Sequence, residues 1–543
     1  RMVDCTYCNL TWCISSENDC SGLNLPSSQQ RVVGDFACRV CIRAAEEALG
    51  IDANNPPATT TTAARTATRI PTPDDPYPEL WGSPEDSTYL DSLDIRTICR
   101  HDLATFAVTH NNKHVYDSIV ARIMTGIKVT RDIETGEVSY TGSPQQITRA
   151  VKLITLLHLL CFAGAKQASN KLTLKRLQCF NKGWWKYLLD YTNQIVAIIR
   201  NKRQNRQANA PPESIAKALK KRIEEHLQSG HVAKALKLIS SNGIAKKVPL
   251  QMKNKLYPKA NQHSTLSEQF WNGDLPTFYL DPSLWVWIMK RLDTSSSGDL
   301  WNVHSKNLRL LARSFVPPNP DEVEGDSNGP KYTPGTLAFC TLFNLMGAGG
   351  IPDDIMYIFR DLKSFYIIKS IDTDGNLEGV RPIGVRSIFV RIFGKGIACS
   401  LLQSIREKLG LNNSVMDHVG VEKLVKAAIA ILELRPTFMG LFPDIINAFN
   451  SMDRAMMLRI FEADPDLREA MNYLKIAYRE YPELLESCDE SIMKSETGAT
   501  QGCPLAMMLF SYAFSKVFEK LRAILAPEEN TTDPTNKTFL GAI

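Results

Sequence analysis

The chain lacks an apolar run of bilayer length. The longest, Val151 to Ala165, holds Lys152 and His158 and is too short to span a membrane; it reads as a buried helix. The opening residues show no basic segment followed by an apolar one, so nothing there suggests secretion. A disulfide framework is missing too. Six of the 13 cysteines crowd the first 50 residues, and the others are scattered. Thiols in that pattern, without a leader, read as reduced. The expectation is an intracellular protein of nucleus and cytoplasm, with no membrane partner. Aspartate is scarce at one end: after Phe510 the only one is Asp533, in Thr-Thr-Asp-Pro-Thr.

What is present fits a multidomain α+β protein. The 543 residues leave room for two to four domains, and 44% hydrophobic and 22% charged residues are ordinary for globular protein. The net charge of +5 hides an asymmetry. Residues 166–259 carry 21 Lys or Arg against Asp190, Glu213, Glu224 and Glu225, a local charge of +17 that leaves −12 elsewhere. Such an excess points to a polyanion, most often nucleic acid.

Residues 1–50 form a Cys-rich module. Cys5-x-x-Cys8 and Cys38-x-x-Cys41 are two knuckles, each offering two thiolates from a tight turn to a tetrahedral Zn2+ ion. Cys13 and Cys20 are alternative partners for one knuckle. A helix over Ala44 to Leu49 would follow. Residues 51–80 are a Pro/Thr-rich linker that cannot bury a core. Residues 81–260 read as a mainly helical, basic, nucleic-acid-binding region. It contains helices within Leu90 to Ile119, a β-hairpin over Ile127 to Tyr140, and core aromatics at Trp184, Trp185 and Tyr187. Residues 261–335 read as a loop-rich connector.

From Thr336 the punctuation sharpens. A helix ends in Gly347, Gly349 and Gly350; strands Phe365 to Ser370 and Val380 to Val385 flank a turn at Asp372 to Gly375. Lys369 stands on one arm and Arg381 on the other. Farther on, Asp444 precedes Ile445, Ile446, Asn447, Ala448 and Phe449. Then Thr-Gly498-Ala-Thr-Gln501-Gly502-Cys-Pro504 reads as a glycine turn feeding a helix, with Leu505, Met508, Leu509 and Tyr512 at helical spacing.

Together these segments resemble the reverse transcriptases of retroelements that lack long terminal repeats. The marks are Arg381-Pro-Ile, D-x-x-x-A-F at Asp444 to Phe449, and Q-G-x-P-L at Gln501 to Leu505, in family order. Gly230 to Ala245 resembles a segment found upstream of the polymerase in the same group. The resemblance covers Gly230 to Phe518. It implies fingers over 336–436 and a truncated palm over 437–543, within a right-hand fold. It also implies RNA-directed DNA synthesis on an RNA template from a DNA primer, using deoxynucleoside triphosphates.

The same resemblance implies roles. Asp444 would bind Mg2+ beside the Ile445 carbonyl in a two-metal site, and Phe449 would gate the sugar. Lys369 and Arg381 would grip the triphosphate, and Gln501 and Gly502 would contact the template–nucleotide pair. The chain departs from the family at Pro443, where an apolar residue is usual, and at Cys503, where Asp is common. No aromatic-x-Asp-Asp motif follows Phe510. Two-metal transfer draws carboxylates from two places, so this stretch is expected not to polymerise alone. The alternative expectation is a non-enzymatic nucleic-acid-binding remnant of such an element.

Overall fold

The structure is a computed structural model. It describes residues 2–4, 11–13, 80–98, 104–105, 108–164, 170–194, 220, 223–224, 227, 236, 243–245, 247–260, 266–273, 275–293, 298–312, 315–316, 331–409, 420–437, 445–486 and 491–525. The chain divides into two compact units. Unit 1 takes residues 1–127, 142–239 and 289–341; unit 2 takes 128–141, 240–288 and 342–543. Each unit is drawn from three separate stretches of the chain.

Unit 1 is helical. Helix α1 (Pro84–Ser92) starts with a capping box between Ser83 and Asp86 and has Pro84 in its first turn. Helix α2 (Lys113–Ile123) follows, then α3 (Pro144–Phe162), which is buried from Ala150 to its end. The expected buried helix is therefore present. Among the described residues of Leu90 to Ile119, α1 stops at Ser92 and α2 begins at Lys113. Two cations tie α3 to the end of α1. Arg149 grips Asp91 at 2.7 and 2.6 Å, and buried Lys152 donates to the Leu90 and Asp91 carbonyls at 2.8 and 2.7 Å. Helix α4 (Asn170–Asn181) completes this group, and the helix over 185–194 buries Trp185, whose Nε1 donates to the Trp81 carbonyl at 3.0 Å. Trp184 and Tyr187 are half-buried.

The core of unit 2 is a sheet with helices. Helix α5 (Leu250–Leu256) precedes the long hairpin β1 (Leu362–Ile371) and β2 (Leu377–Arg386). Next come α6 (Ile388–Leu409), α7 (Gly420–Leu434), α8 (Ala448–Ser451), α9 (Arg454–Ala463) and α10 (Met471–Tyr478). Strands β3 (Glu483–Glu486) and β4 (Ile492–Lys494) lead to α11 (Ala506–Leu525). The strand order is β2-β1-β3-β4, with β3 parallel to β1 and the other pairs antiparallel. Burial alternates along the hairpin: Leu362, Ser364 and Tyr366 face inward, as do Pro382, Gly384 and Arg386. Arg381, paired with Ile367, is exposed on the outer face, and Lys369, the extra residue of a bulge opposite Gly379 and Val380, is exposed on the side that a Gly379 Cβ would take.

The upstream phrase ending Gly243-Ile244-Ala245 docks on this sheet. Ile244 bridges Ile367, Ala245 N donates to the Tyr366 carbonyl at 2.9 Å, and Ile368 N donates to the Gly243 carbonyl at 3.0 Å. Helix α5 follows it onto the inner face, where buried Lys253 pairs with buried Glu486, which also accepts from the Tyr366 hydroxyl. The hairpin over Ile127 to Tyr140 is present, with Val129–Arg131 paired to Val138–Tyr140.

The expected loop-rich connector holds three helices, Glu268–Asn272, Pro282–Lys290 and Ser305–Ala312. Buried indoles outweigh its polar composition. Trp271, Trp285 and Trp301 are each at most 2% exposed, and Trp285 packs on Phe278, Phe343 and Phe393. Among the described residues, α6 is the one helix long and apolar enough to cross a membrane, by length and composition. It buries Phe389, Val390, Ile392, Phe393 and Ile397, as a core helix does.

His158 on α3 gives unit 1 a pH dependence. Its Nδ1 lies 2.8 Å from the Ile154 carbonyl and its Nε2 lies 2.8 Å from the Tyr116 hydroxyl. Only a neutral ring can donate to the first and accept from the second. Burial pushes its pKa from 6.5 down to about 4, against the pull of the Ile154 carbonyl. Below pH 6.5 the unfolded chain therefore binds a proton that the folded chain refuses. Stability is expected to fall by about 3 kcal/mol as pH drops through this window, with His158→Gln removing that slope. Urea titrations at pH 7, 5.5 and 4 measure it; identical slopes in the two proteins would contradict the assignment.

Candidate functional site

The Gly498–Gly502 turn lies where three distant segments meet. Residues Thr500 to Cys503 form a tight turn closed by Cys503 N donating to the Thr500 carbonyl at 3.0 Å. Gly502 takes φ +104°, which a side chain would resist. A Cβ there would also overlap the Gly384 carbonyl oxygen. The turn's Gln501 carbonyl accepts from Gly384 N at 2.9 Å. Strand β2 is an edge strand, and Gly384 N points away from β1. Pro382, two residues back, has the same orientation, so its missing N–H costs the ladder nothing.

The first half of the turn is joined to α8. Ala499 N donates to the Phe449 carbonyl at 2.7 Å, Gly498 N to the Met452 carbonyl at 2.8 Å, and Thr497 Oγ1 to the Asn450 carbonyl at 2.6 Å. A Cβ on Gly498, at φ +57°, would overlap the Phe449 carbonyl oxygen. Asn447 adopts φ +54° just before α8, and its Nδ2 donates to the Lys255 and Leu256 carbonyls at 3.3 and 3.0 Å. The half-buried Phe449 ring rests on Phe510 of α11, centroids 5.1 Å apart.

Two buried arginines hold the turn from behind. Arg386 donates from Nε and Nη2 to Thr500 Oγ1 at 3.2 and 2.8 Å. Arg454 donates to the carbonyls of Gly498, Ser495 and Thr497 and to Ser495 Oγ, all within 2.8 Å. The Tyr478 ring receives both guanidinium groups, at 4.8 and 4.9 Å from its centroid. Burial, reinforced by Arg386, draws Arg454 down to about 10, so it remains a cation at neutral pH. Cys503 is buried too, with its Sγ 3.0 Å from the Tyr473 hydroxyl.

The structure thus brings together Gln501, Gly502 and Phe449, with Arg381 three residues from Gly384, about 10 Å along the strand. Lys369 lies farther out on the hairpin, exposed at the bulge. Ile445 is exposed and Ile446 is 90% exposed; neither is in a strand. Asp444 lies outside the described residues, as do Cys5, Cys8, Cys20, Cys38, Cys41 and the expected helix at Ala44 to Leu49. Cys13 ends a strand, Thr11–Cys13, paired with Met2–Asp4. Among the described residues, no group of three or more His, Cys, Asp or Glu is placed to hold a metal. The sequence reading passed over Arg386, Arg454 and Tyr478. Arg386 had a signal: the alternation of Pro382 and Gly384 places it on the inner face. Arg454 and Tyr478 had none.

No family model matches the chain, and no curated protein matches it.

Tyr478 Oη is buried without a hydrogen-bond partner among the described residues. The ring is what the two arginines use. Tyr478→Phe is therefore expected to cost less than about 1 kcal/mol, and Tyr478→Leu about 3 kcal/mol from two lost cation–π contacts and a cavity. Chemical denaturation of the two variants measures the difference; equal losses would show that the stack contributes nothing.

Proposed function

We propose that this chain carries the fingers and early palm of an RNA-directed DNA polymerase similar to the reverse transcriptases of retroelements without long terminal repeats. The observation that carries the reading is the meeting of three segments far apart in sequence. Gly384 of the R-P-I-G run, Phe449 of the A-F pair and the Gln501-Gly502 turn share backbone hydrogen bonds. Nothing in chain order requires that meeting, whereas a polymerase needs these segments beside one base pair.

In this reading Arg381 and Lys369, both exposed on the hairpin, hold a triphosphate; Arg suits phosphate oxygens because its fork donates twice. Gln501 and Gly502 contact the template–nucleotide pair, and Phe449 lies under the sugar, braced by Phe510. Asp444 and the Ile445 carbonyl would hold Mg2+, which supplies positive charge to the attacking and leaving oxygens. The partners are an RNA template, a DNA primer and deoxynucleoside triphosphates. The cysteine module would bind Zn2+ and the basic region nucleic acid, in an intracellular setting.

Primer extension on an RNA template tests the reading, run on this chain and on the full-length product of its gene. The expected result is extension by the full-length product that Asp444→Ala reduces by at least about a thousandfold. Template binding without extension would instead favour the non-enzymatic remnant. Extension that survives Asp444→Ala would remove the assigned carboxylate from the mechanism.

A further inference from the structure

We propose that the solvent face of α4 in unit 1 binds the phosphodiester backbone of nucleic acid. The proposal rests on the nucleic-acid part of the reading above and not on its chemistry. Helix α4 buries Thr173, Arg176, Leu177 and Phe180. Its opposite face exposes Lys171, Lys175 and Gln178, with half-exposed Lys182 one turn farther on. At 1.5 Å rise per residue, Lys171 and Lys175 stand about 6 Å apart along the axis and Lys182 about 10 Å beyond. A row of cations at that spacing can follow successive phosphates.

The charge on this face is of one sign. Between Glu137 and Asp190 the chain has neither Asp nor Glu. Neighbouring cations of unit 1 are engaged elsewhere. Arg149 pairs with Asp91 at 2.6 Å and Lys186 with Asp86 at 3.3 Å, Lys152 is spent on the end of α1, and Arg176 lies over the Tyr191 ring at 5.3 Å. Lys171 and Lys175 have no ion pair or hydrogen bond among the described residues. A helix lying on lipid places apolar side chains among its lysines. Here Leu177 and Phe180 turn inward, Leu172 and Leu174 flank the lysines only half-exposed, and the exposed residue between Lys175 and Lys182 is Gln178, so a polyanion strand fits better than a membrane surface.

The test is fluorescence anisotropy with the full chain across a KCl series, using labelled single-stranded RNA and duplex DNA of equal length. Lys171→Glu with Lys175→Glu is expected to weaken binding at least about tenfold near 0.1 M salt and to flatten the log–log salt slope by about 1.5. A variant with the same change in net charge, Lys423→Glu with Lys426→Glu on α7, is expected to stay within about twofold of wild type. Loss on RNA, on duplex, or on both identifies which backbone this face takes, and each supports the proposal. Equal loss in the two variants would reduce it to net charge. Unchanged binding in the α4 variant, or a wild-type preference for phosphatidylserine vesicles over both nucleic acids, would overturn it. Extension is not measured, so either result leaves the polymerase reading to its own assay.

Discussion

A guanidinium taken out of water must have its N–H groups met by acceptors. Arg454 meets this requirement with three main-chain carbonyls and one hydroxyl, all from residues 495–498. No carboxylate is among these partners. The turn's own carbonyls therefore balance the charge, and they can do so only while they point inward. Reversing any one of them would remove a hydrogen bond to a buried cation, at a cost of roughly 1.5–3 kcal/mol. Arg386 adds the same constraint at Thr500, and Tyr478 fills the space between the two. The conformation of the glycine turn is thus fixed from the core side, leaving Gln501 and Gly502 to face outward.

The rest of unit 2 is arranged around that fixed turn. Because the turn is rigid, the single bond from Gly384 N to the Gln501 carbonyl sets where the long hairpin crosses it. Because Gly498 and Gly502 lack Cβ atoms, α8 and β2 can both approach at backbone distance. On the far side of the hairpin, residues 243–245 and α5 supply a second anchorage, through the bridge at Ile367 and the buried Lys253–Glu486 pair. The upstream phrase is therefore structural: it holds the strand that carries Lys369.

Local pattern made much of this fold legible. The β1–β2 hairpin followed from apolar alternation around Asp372 to Gly375, and α11 from helical spacing after Pro504; both appear. The turn at Gln501 followed from its glycines. What the sequence hid was decided by contacts distant along the chain. Polar composition made residues 261–335 look loop-like, yet three tryptophans gain enough by burial to order helices there. Arg454 and Tyr478 carried no local signal, because what buries them is a turn about twenty to forty residues away, which no local window sees. The meeting of strand β2, α8 and the turn belongs to the same class.

The claim that these three segments are one mechanical unit is tested most directly by native-state hydrogen exchange, resolved at the amides of Gly384 and Ala499. Each donates across segments, Gly384 to the Gln501 carbonyl and Ala499 to the Phe449 carbonyl. The account predicts that both exchange as slowly as the β1–β2 ladder and that both become fast together in Tyr478→Leu. Exchange of either amide at the rate of an exposed loop, with the ladder still protected, would contradict it.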